Sequence, residues 1–232
     1  MKNLTLSKTI ILLAVANITA AVFLVVMFSM YRTAQEEISE TYATKYVSYL
    51  LADELRQSSD DLTRLGRTYV VTGDEKYEKQ YFDILNIRGG KMPRPQNYHR
   101  IYWDLYTVDM KKPRPNSGDT IALNDLMKQA GFTDEEFGFL KEAGDNSDGL
   151  VGLEVQAMNA VKGKFADSSG NYTVEGEPDY KLARELLHSE DYHKYKSNIS
   201  VPLLKFAESM EARTDESVLS SQAKAKNIGI FA

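Results

Sequence analysis

Three histidines, His99, His188 and His193, are the first residues in this chain to test for chemistry. None lies in an HExxH pattern, and no two stand four apart. His188 and His193 are five apart, which on a helix separates them by about 140°, so they do not share a metal ion. There is no G-x-S-x-G turn and no phosphate loop. The chain has no cysteine, which excludes disulfides, thiol nucleophiles and thiolate metal sites. Asp60-Asp61 and Glu135-Glu136 are adjacent pairs that would point in different directions on a helix, hence solvated faces rather than an acid/base dyad. The expectation is a protein that is not an enzyme, with no catalytic residue, no metal ligand and no cofactor.

The densest chemistry is recognition rather than catalysis. Between two basic, proline-bearing loops, GGKMPRP (89–95) and KKPRPNSG (111–118), runs NYHRIYWDLYTVDM, which carries the only tryptophan. Tyr98, Tyr102, Trp103, Tyr106 and His99 gather here, with Arg94, Arg100 and Arg114 close by. Two readings stand side by side: a pocket for a small anion or aromatic compound, or a small core beneath two loops with solvated arginines. Under the first, the candidate ligand contacts are Arg67, Tyr98, Arg100, Tyr102, Trp103 and Asp104, chosen for aromatic and charge density.

The stretch that must position everything else is Ile10–Met30, 21 residues without a charge. As a helix it reaches roughly 31 Å, the thickness of a bilayer's hydrocarbon core. A cleaved signal core is usually about 7–15 residues, so a retained membrane span is expected. Lys2 and Lys8 precede it and no acidic residue occurs before Glu36, which places the amino terminus in the cytoplasm and the rest outside. Three of the 28 basic residues and none of the 33 acidic ones lie before Glu36, so the remainder carries a net charge of about −8. That balance argues against a nucleic-acid surface, which needs a basic stripe.

Beyond Arg32 the helical period continues without a stop until Thr72-Gly73-Asp74. Ile38, Tyr42, Tyr46, Tyr49, Leu55, Leu62, Leu65 and Tyr69 form one stripe, read as a helix-packing seam on a helix of about 100 Å. Gly73 ends it and Asp74 caps a second helix over about 75–87, whose buried face is Tyr77, Tyr81, Phe82, Ile84 and Leu85, and which Gly89-Gly90 stops. Thr120 is expected to cap a helix over 121–130. Thr133 and Glu136 have the reciprocal capping spacing, and a helical pattern follows through 166 despite Gly144, Gly149 and Gly152. Those glycines are read as sites of close helix approach or a local bend. A polar loop spans 166–179, a short helix about 179–188, and a last helix runs from Asp191 to about Ile230, capped by Ser189 and kinked at Pro202. The final NIGIFA is apolar again and reads as the start of a second span, truncated here.

Taken together, the expected fold is all-α: an N-terminal transmembrane helix continuing into an elongated extracytoplasmic helical bundle. The expected divisions are a cytoplasmic N-terminus (1–9), a transmembrane helix (10–31), a periplasmic helical sensor domain (32–226) and the start of a second transmembrane helix (227–232).

Several blocks in order, LGRTYVVTGDEKYEKQYFDIL, RPQNYHRIYWDLYTVD, IALNDLMKQAGFTDEEF, EAGDNSDGLVGLEVQAMNAV and HSEDYHKYKSNISVPLLKF, resemble the extracytoplasmic helical sensor region of bacterial methyl-accepting chemotaxis proteins, over about Leu50 to Val218. The YVVTGD turn is shared with helical sensors of histidine kinases and diguanylate cyclases; NYHRIYWD and NSDGLVGLE are more specific. The resemblance implies a homodimeric receptor in the bacterial inner membrane with its main domain in the periplasm. Its ligand would be a small molecule or a periplasmic binding protein. Its cytoplasmic signalling partners would act through a region absent from this chain. A kinase or cyclase output, or a membrane-anchored helical scaffold, remains the alternative.

Overall fold

In a computed structural model, residues 6–230 are described, with the backbone alone at 148 and 228–230. The chain is mostly helical: α1 (Leu6–Thr72), α2 (Glu75–Arg88), α3 (Trp103–Asp109), α4 (Leu123–Gln129), α5 (Asp134–Val161), α6 (Tyr180–Leu187) and α7 (Glu190–Ile230). Between α5 and α6 two two-residue strands, β1 (Lys164–Phe165) and β2 (Val174–Glu175), pair antiparallel. Residues 1–5 of the expected cytoplasmic segment lie outside the described residues, as do 231–232 of the expected second span.

The helices start and stop for local reasons. Gly73 donates its N–H to the Tyr69 carbonyl at 2.7 Å, and Asp74 accepts from the Lys76 amide at 3.1 Å, which closes α1 and opens α2 at the expected place. Thr133 and Glu136 cap α5 reciprocally, at 3.2 and 2.7 Å. Asp179 and Ser189 cap α6 and α7. Thr120 does not cap α4, whose N-cap is Ala122 with no side-chain bond. The fourth helical segment begins too late for Thr120 to reach its first free amides. The helix expected through 166 stops at Val161, because the chain turns there into the small hairpin, where Gly176 donates to the Gly163 carbonyl at 2.8 Å. Asp167 organises the tip of that hairpin, accepting from the amides of Ser169 and Asn171 and from the Thr173 hydroxyl.

The chain divides into two compact units, 1–46 with 212–232, and 47–211. Within the first, α1 carries a segment long and apolar enough to cross a membrane, only 6% buried within the protein. C-terminal to that segment, α1 and α7 meet along a polar seam. Lys45 pairs with Asp215, Thr41 Oγ1 lies 3.2 Å from Ser221 Oγ, Lys224 donates to Glu37 at 2.7 Å and Gln222 to Tyr42 at 2.9 Å. Tyr42 and Tyr46 are not part of a packed seam here: they are 47% and 59% exposed, as is Tyr49 (52%) in the other unit. The residues that α7 buries in this unit, Thr214, Val218, Ser221 and Ala225, are small, so they fill the interface without needing the rings.

The second unit holds the main core. Leu62, Leu65, Tyr69 and Val70 of α1 pack with Tyr81, Ile84 and Ile87 of α2, Ala157 and Met158 of α5, Leu187 of α6 and Tyr192 of α7. A smaller cluster joins Leu123 and Met127 of α4 to Phe132, Phe206 and Met210, with Phe132 and Phe206 stacked at 5.7 Å. On α2, Gln80, Tyr81, Ile84 and Ile87 are buried whereas Phe82 is 43% exposed. Gly149 is a close approach: a methyl there would stand 2.8 Å from Tyr195 Cζ of α7. Pro202 stays inside continuous α7. It cannot donate to the carbonyl of Asn198, and Asn146 of α5 supplies the missing donor through Nδ2 at 3.1 Å.

Candidate functional site

Of the expected contact residues, Tyr98, Arg100, Tyr102 and Trp103 line one small void, and Arg67 and Asp104 do not. Tyr98, Tyr102 and Trp103 are 8%, 5% and 5% exposed and pack edge to face, with Trp103 Nε1 donating to Tyr98 Oη at 2.9 Å. The void they line with Arg100 is about 10 Å³, room for one water at most. Arg100 is exposed. Asp104 is exposed and pairs with Arg64 at 3.3 Å. Of the neighbouring arginines, Arg94 pairs with Glu54, and Arg114 donates to the carbonyls of Arg100 and Ile101. The aromatic segment is therefore core beneath two loops. Arg67 belongs to another cluster: its Nε donates to the Leu187 carbonyl at 3.0 Å and its guanidinium lies 4.7 Å over the Tyr192 ring.

That other cluster leads to the site. Glu154 sits on α5 in the apolar run LVGLEVQAM, and the helix turns it into the core, where it is 4% exposed. Isolated, a buried carboxylate would be very costly, so it has partners. Tyr81 of α2 donates to Oε2, and Tyr192 of α7 donates to Oε1 at 2.9 Å. Burial pushes the Glu154 carboxyl above its ordinary range, against the pull of the two hydroxyl bonds and of Lys196 and Arg67. The same burial, reinforced by the Glu154 charge, raises both phenols. Lys196 is held on α1 by Ser59 Oγ (2.9 Å), the Ser59 carbonyl (3.1 Å) and Thr63 Oγ1 (3.0 Å), and burial lowers its ammonium.

Glu154 and Tyr81 form part of the wall of a cavity of about 420 Å³ in this unit, built mainly from α1, α2, α5 and α7, with Ala122 and Asn124 at the start of α4. Its surface is mainly aliphatic, with Leu55, Leu62, Leu85, Leu150, Ile199 and Leu203 contributing; Ser59, Thr63 and Ser147 add hydroxyls. Gly144 leaves α5 bare along one side, with nothing within 4 Å of where a Cβ would stand. Arg88, in the last turn of α2, also lines it. This guanidinium is partly buried and makes no hydrogen bond or ion pair among the described residues. Burial lowers its affinity for the proton it nevertheless keeps, while the nearby Tyr81 and Glu154 oppose that shift. A second cavity of about 400 Å³ lies against Tyr49, Leu203, Phe206 and Met210. Its basic residues are engaged: Arg56 with Asp53 and Asp60, and Lys196 with Ser59 and Thr63.

Neither acidic pair noted in the sequence is a plain solvated face. Asp61 is 17% exposed and held by Arg64 at 2.7 Å, and Glu136 is fully buried in its capping role. Arg88, Glu154, Tyr81 and Tyr192 were not among the expected site residues. The signal for Glu154 was a lone acid in an apolar helical run; Arg88 gave none beyond its place before Gly89-Gly90. Among the described residues, no three His, Asp or Glu side chains gather as a metal site. The arrangement offers an anchor for charge, hydroxyl groups and a largely apolar wall. Such an arrangement can accommodate a small molecule. Comparison with family models, with curated proteins and with solved structures finds no match.

Proposed function

We propose that this chain is the sensor region of a membrane-anchored receptor of the methyl-accepting chemotaxis type. In this reading α1 crosses the bacterial inner membrane, an elongated helical bundle stands in the periplasm, and a small molecule binding in the 420 Å³ cavity is the signal. What carries the reading is that cavity: its lining includes both α1 and α7 and an arginine with no partner among the described residues, in a chain whose first helix has an exposed, uncharged stretch of membrane length. A ligand there would contact Leu62 and Thr63 on one helix and Ile199 and Leu203 on the other, on either side of Pro202. Filling it would bias the position of α7 against α1 by the small shifts, about 1–2 Å, that packed helices use as switches, with a coupling of about 1–3 kcal/mol. The homodimer that the resemblance implies would cover the exposed Tyr42 and Tyr46. The cytoplasmic output would be a chemotaxis signalling region, or a kinase or cyclase.

The absence of cysteine makes the test clean. Thr41 and Ser221, whose hydroxyls lie 3.2 Å apart, are changed together to Cys in the full chain in lipid nanodiscs, and the rate of disulfide formation is followed during titration with metabolite mixtures. The expected result is that at least one compound raises the melting temperature and changes the crosslinking rate, and that Gly144→Leu, which projects a side chain into the cavity, removes both effects. If no compound does either, or if Gly144→Leu leaves both effects intact, the proposal fails.

A further inference from the structure

We propose that the cavity on α1, α2, α5 and α7 binds an aliphatic monocarboxylate, with Arg88 taking the carboxylate and the leucine-lined wall taking the hydrocarbon. This rests on reading that cavity as the sensor site and adds the class of ligand. Arg88 is the only cationic side chain lining the cavity, and it lacks a hydrogen bond or ion pair among the described residues. An arginine whose donors are unspent beside apolar surface is an open anchor for an anion, and a planar carboxylate matches its paired donors. As a helix C-terminal residue Arg88 gains a little from the α2 dipole, but that would hold equally with the side chain extended into water.

The other charged side chain in the cavity selects against two neighbouring classes. Each Glu154 oxygen already accepts a phenol proton, from Tyr81 and Tyr192, and Arg67 and Lys196 bear on its charge from the protein side. It has no unmet need that an amino acid's ammonium would fill. A dicarboxylate would have to leave its second charge against Glu154 or on the neutral donors of Ser59, Thr63, Ser147 and Asn124, with no second cation among the described lining residues to compensate it. Most of the remaining surface is apolar, with Leu55, Leu62, Leu85, Leu150, Ile199 and Leu203 contributing, which suits a hydrocarbon. At about 420 Å³ the cavity falls at the lower end of the roughly 300–1,000 Å³ typical of small-molecule sites.

The test is calorimetric titration of the full chain in nanodiscs with hexanoate, leucine, succinate and hexanol. Hexanoate is expected to bind at least about tenfold more tightly than the other three, the ratio a single charge-assisted contact commands. Arg88→Gln should weaken hexanoate at least tenfold without changing the melting temperature of the free protein, Arg88→Lys should restore part of the affinity, and Gly144→Leu should abolish it. Tighter binding of leucine or succinate than of hexanoate, still lost in Gly144→Leu, overturns the monocarboxylate class and leaves the sensor site standing. Equal binding of hexanol and hexanoate, or an unchanged affinity in Arg88→Gln, overturns the role of Arg88. A response in the metabolite crosslinking experiment together with no binding of hexanoate overturns the class alone; silence in both overturns the class and the sensor reading together.

Discussion

Replacing Arg94 by Met should be among the most damaging single changes in the unit spanning 47–211, and the structure gives the size of the effect. Arg94 Nε and Nη2 both lie 3.0 Å from Glu54 Oε1, and Nη1 donates to the Ile121 carbonyl at 3.3 Å, so one guanidinium ties the 89–95 loop and the approach to α4 onto α1. The two side chains are 15% and 8% exposed, too little for water to take over. Burial pushes the Glu54 carboxyl up and Arg94 pulls it back down. Without Arg94, Glu54 keeps the burial and loses the compensation, for which the expected cost is about 3–5 kcal/mol at pH 8. The same carboxyl can escape by taking a proton, so the cost should shrink toward pH 5. Glu54→Leu with Arg94→Met removes both charges and should fall within about 1 kcal/mol of the parent. Urea titration of the full chain in mild detergent reads this through Trp103, the sole tryptophan, which lies 5% exposed in the same unit. A double mutant as unstable as the sum of the singles, or a single Arg94→Met below about 1 kcal/mol, would refute the compensation argument.

Glu154→Gln should flatten the pH dependence of stability. The folded carboxyl of Glu154 is raised, so above its unfolded value of about 4.5 the native state binds more protons than the unfolded one, and stability is lost as pH rises through the folded pKa. Melting temperatures of parent and mutant between pH 5 and 8 check this; parallel curves count against it. Gly90 has φ +69°, and a Cβ there would meet the Ala122 amide nitrogen at 2.5 Å, whereas Gly131 has φ +79° and open space. Gly131→Ala should cost about 1 kcal/mol, the left-handed penalty alone, and Gly90→Ala at least twice that, measured by urea titration. Asn146→Ala should cost about 0.5–1 kcal/mol in the parent and nothing in Pro202→Ala, where residue 202 regains an amide for the Asn198 carbonyl; equal costs in both backgrounds would sink that assignment.

Helix ends were legible in the residues because their determinants are local: Gly73-Asp74, the Thr133/Glu136 pair, Ser189. The long apolar stretch was legible for the same reason, a run of composition along one element. Thr120 failed because a capping residue counts only if the helix begins beside it, and the chain enters α4 two residues later. The site was not legible. Aromatic density pointed to Tyr98, Tyr102 and Trp103, but aromatic rings near one another in sequence close on each other and leave almost no void. A cavity arises where four helices distant in sequence fail to fill the space between them, which depends on positions such as Ser59, Arg88, Gly144 and Ile199 whose proximity no local pattern announces. Charge density misled in the same way: Arg94 and Arg114 are engaged by Glu54 and by loop carbonyls, whereas Arg88, which makes no hydrogen bond or ion pair among the described residues, sits at a helix end.

The cavity also lies where α7 is least constrained by its own hydrogen bonds. Pro202 removes one bond from the ladder, and the carbonyl it abandons is met from α5 by Asn146, two residues from the bare backbone of Gly144. Ile199 and Leu203, on either side of the proline, form part of the cavity wall. One turn earlier Tyr195 lies against Gly149, so α5 and α7 touch both backbone to ring and through a side-chain amide. A helix weakened at a proline and held laterally by two contacts has a place to bend that the rest of its length lacks. An occupant pressing on Ile199 and Leu203 would act on that place first, before it disturbed the fully buried Tyr192 or the Phe206 and Met210 cluster. If the cavity takes a ligand, sensitivity to it would come from this local weakness in α7.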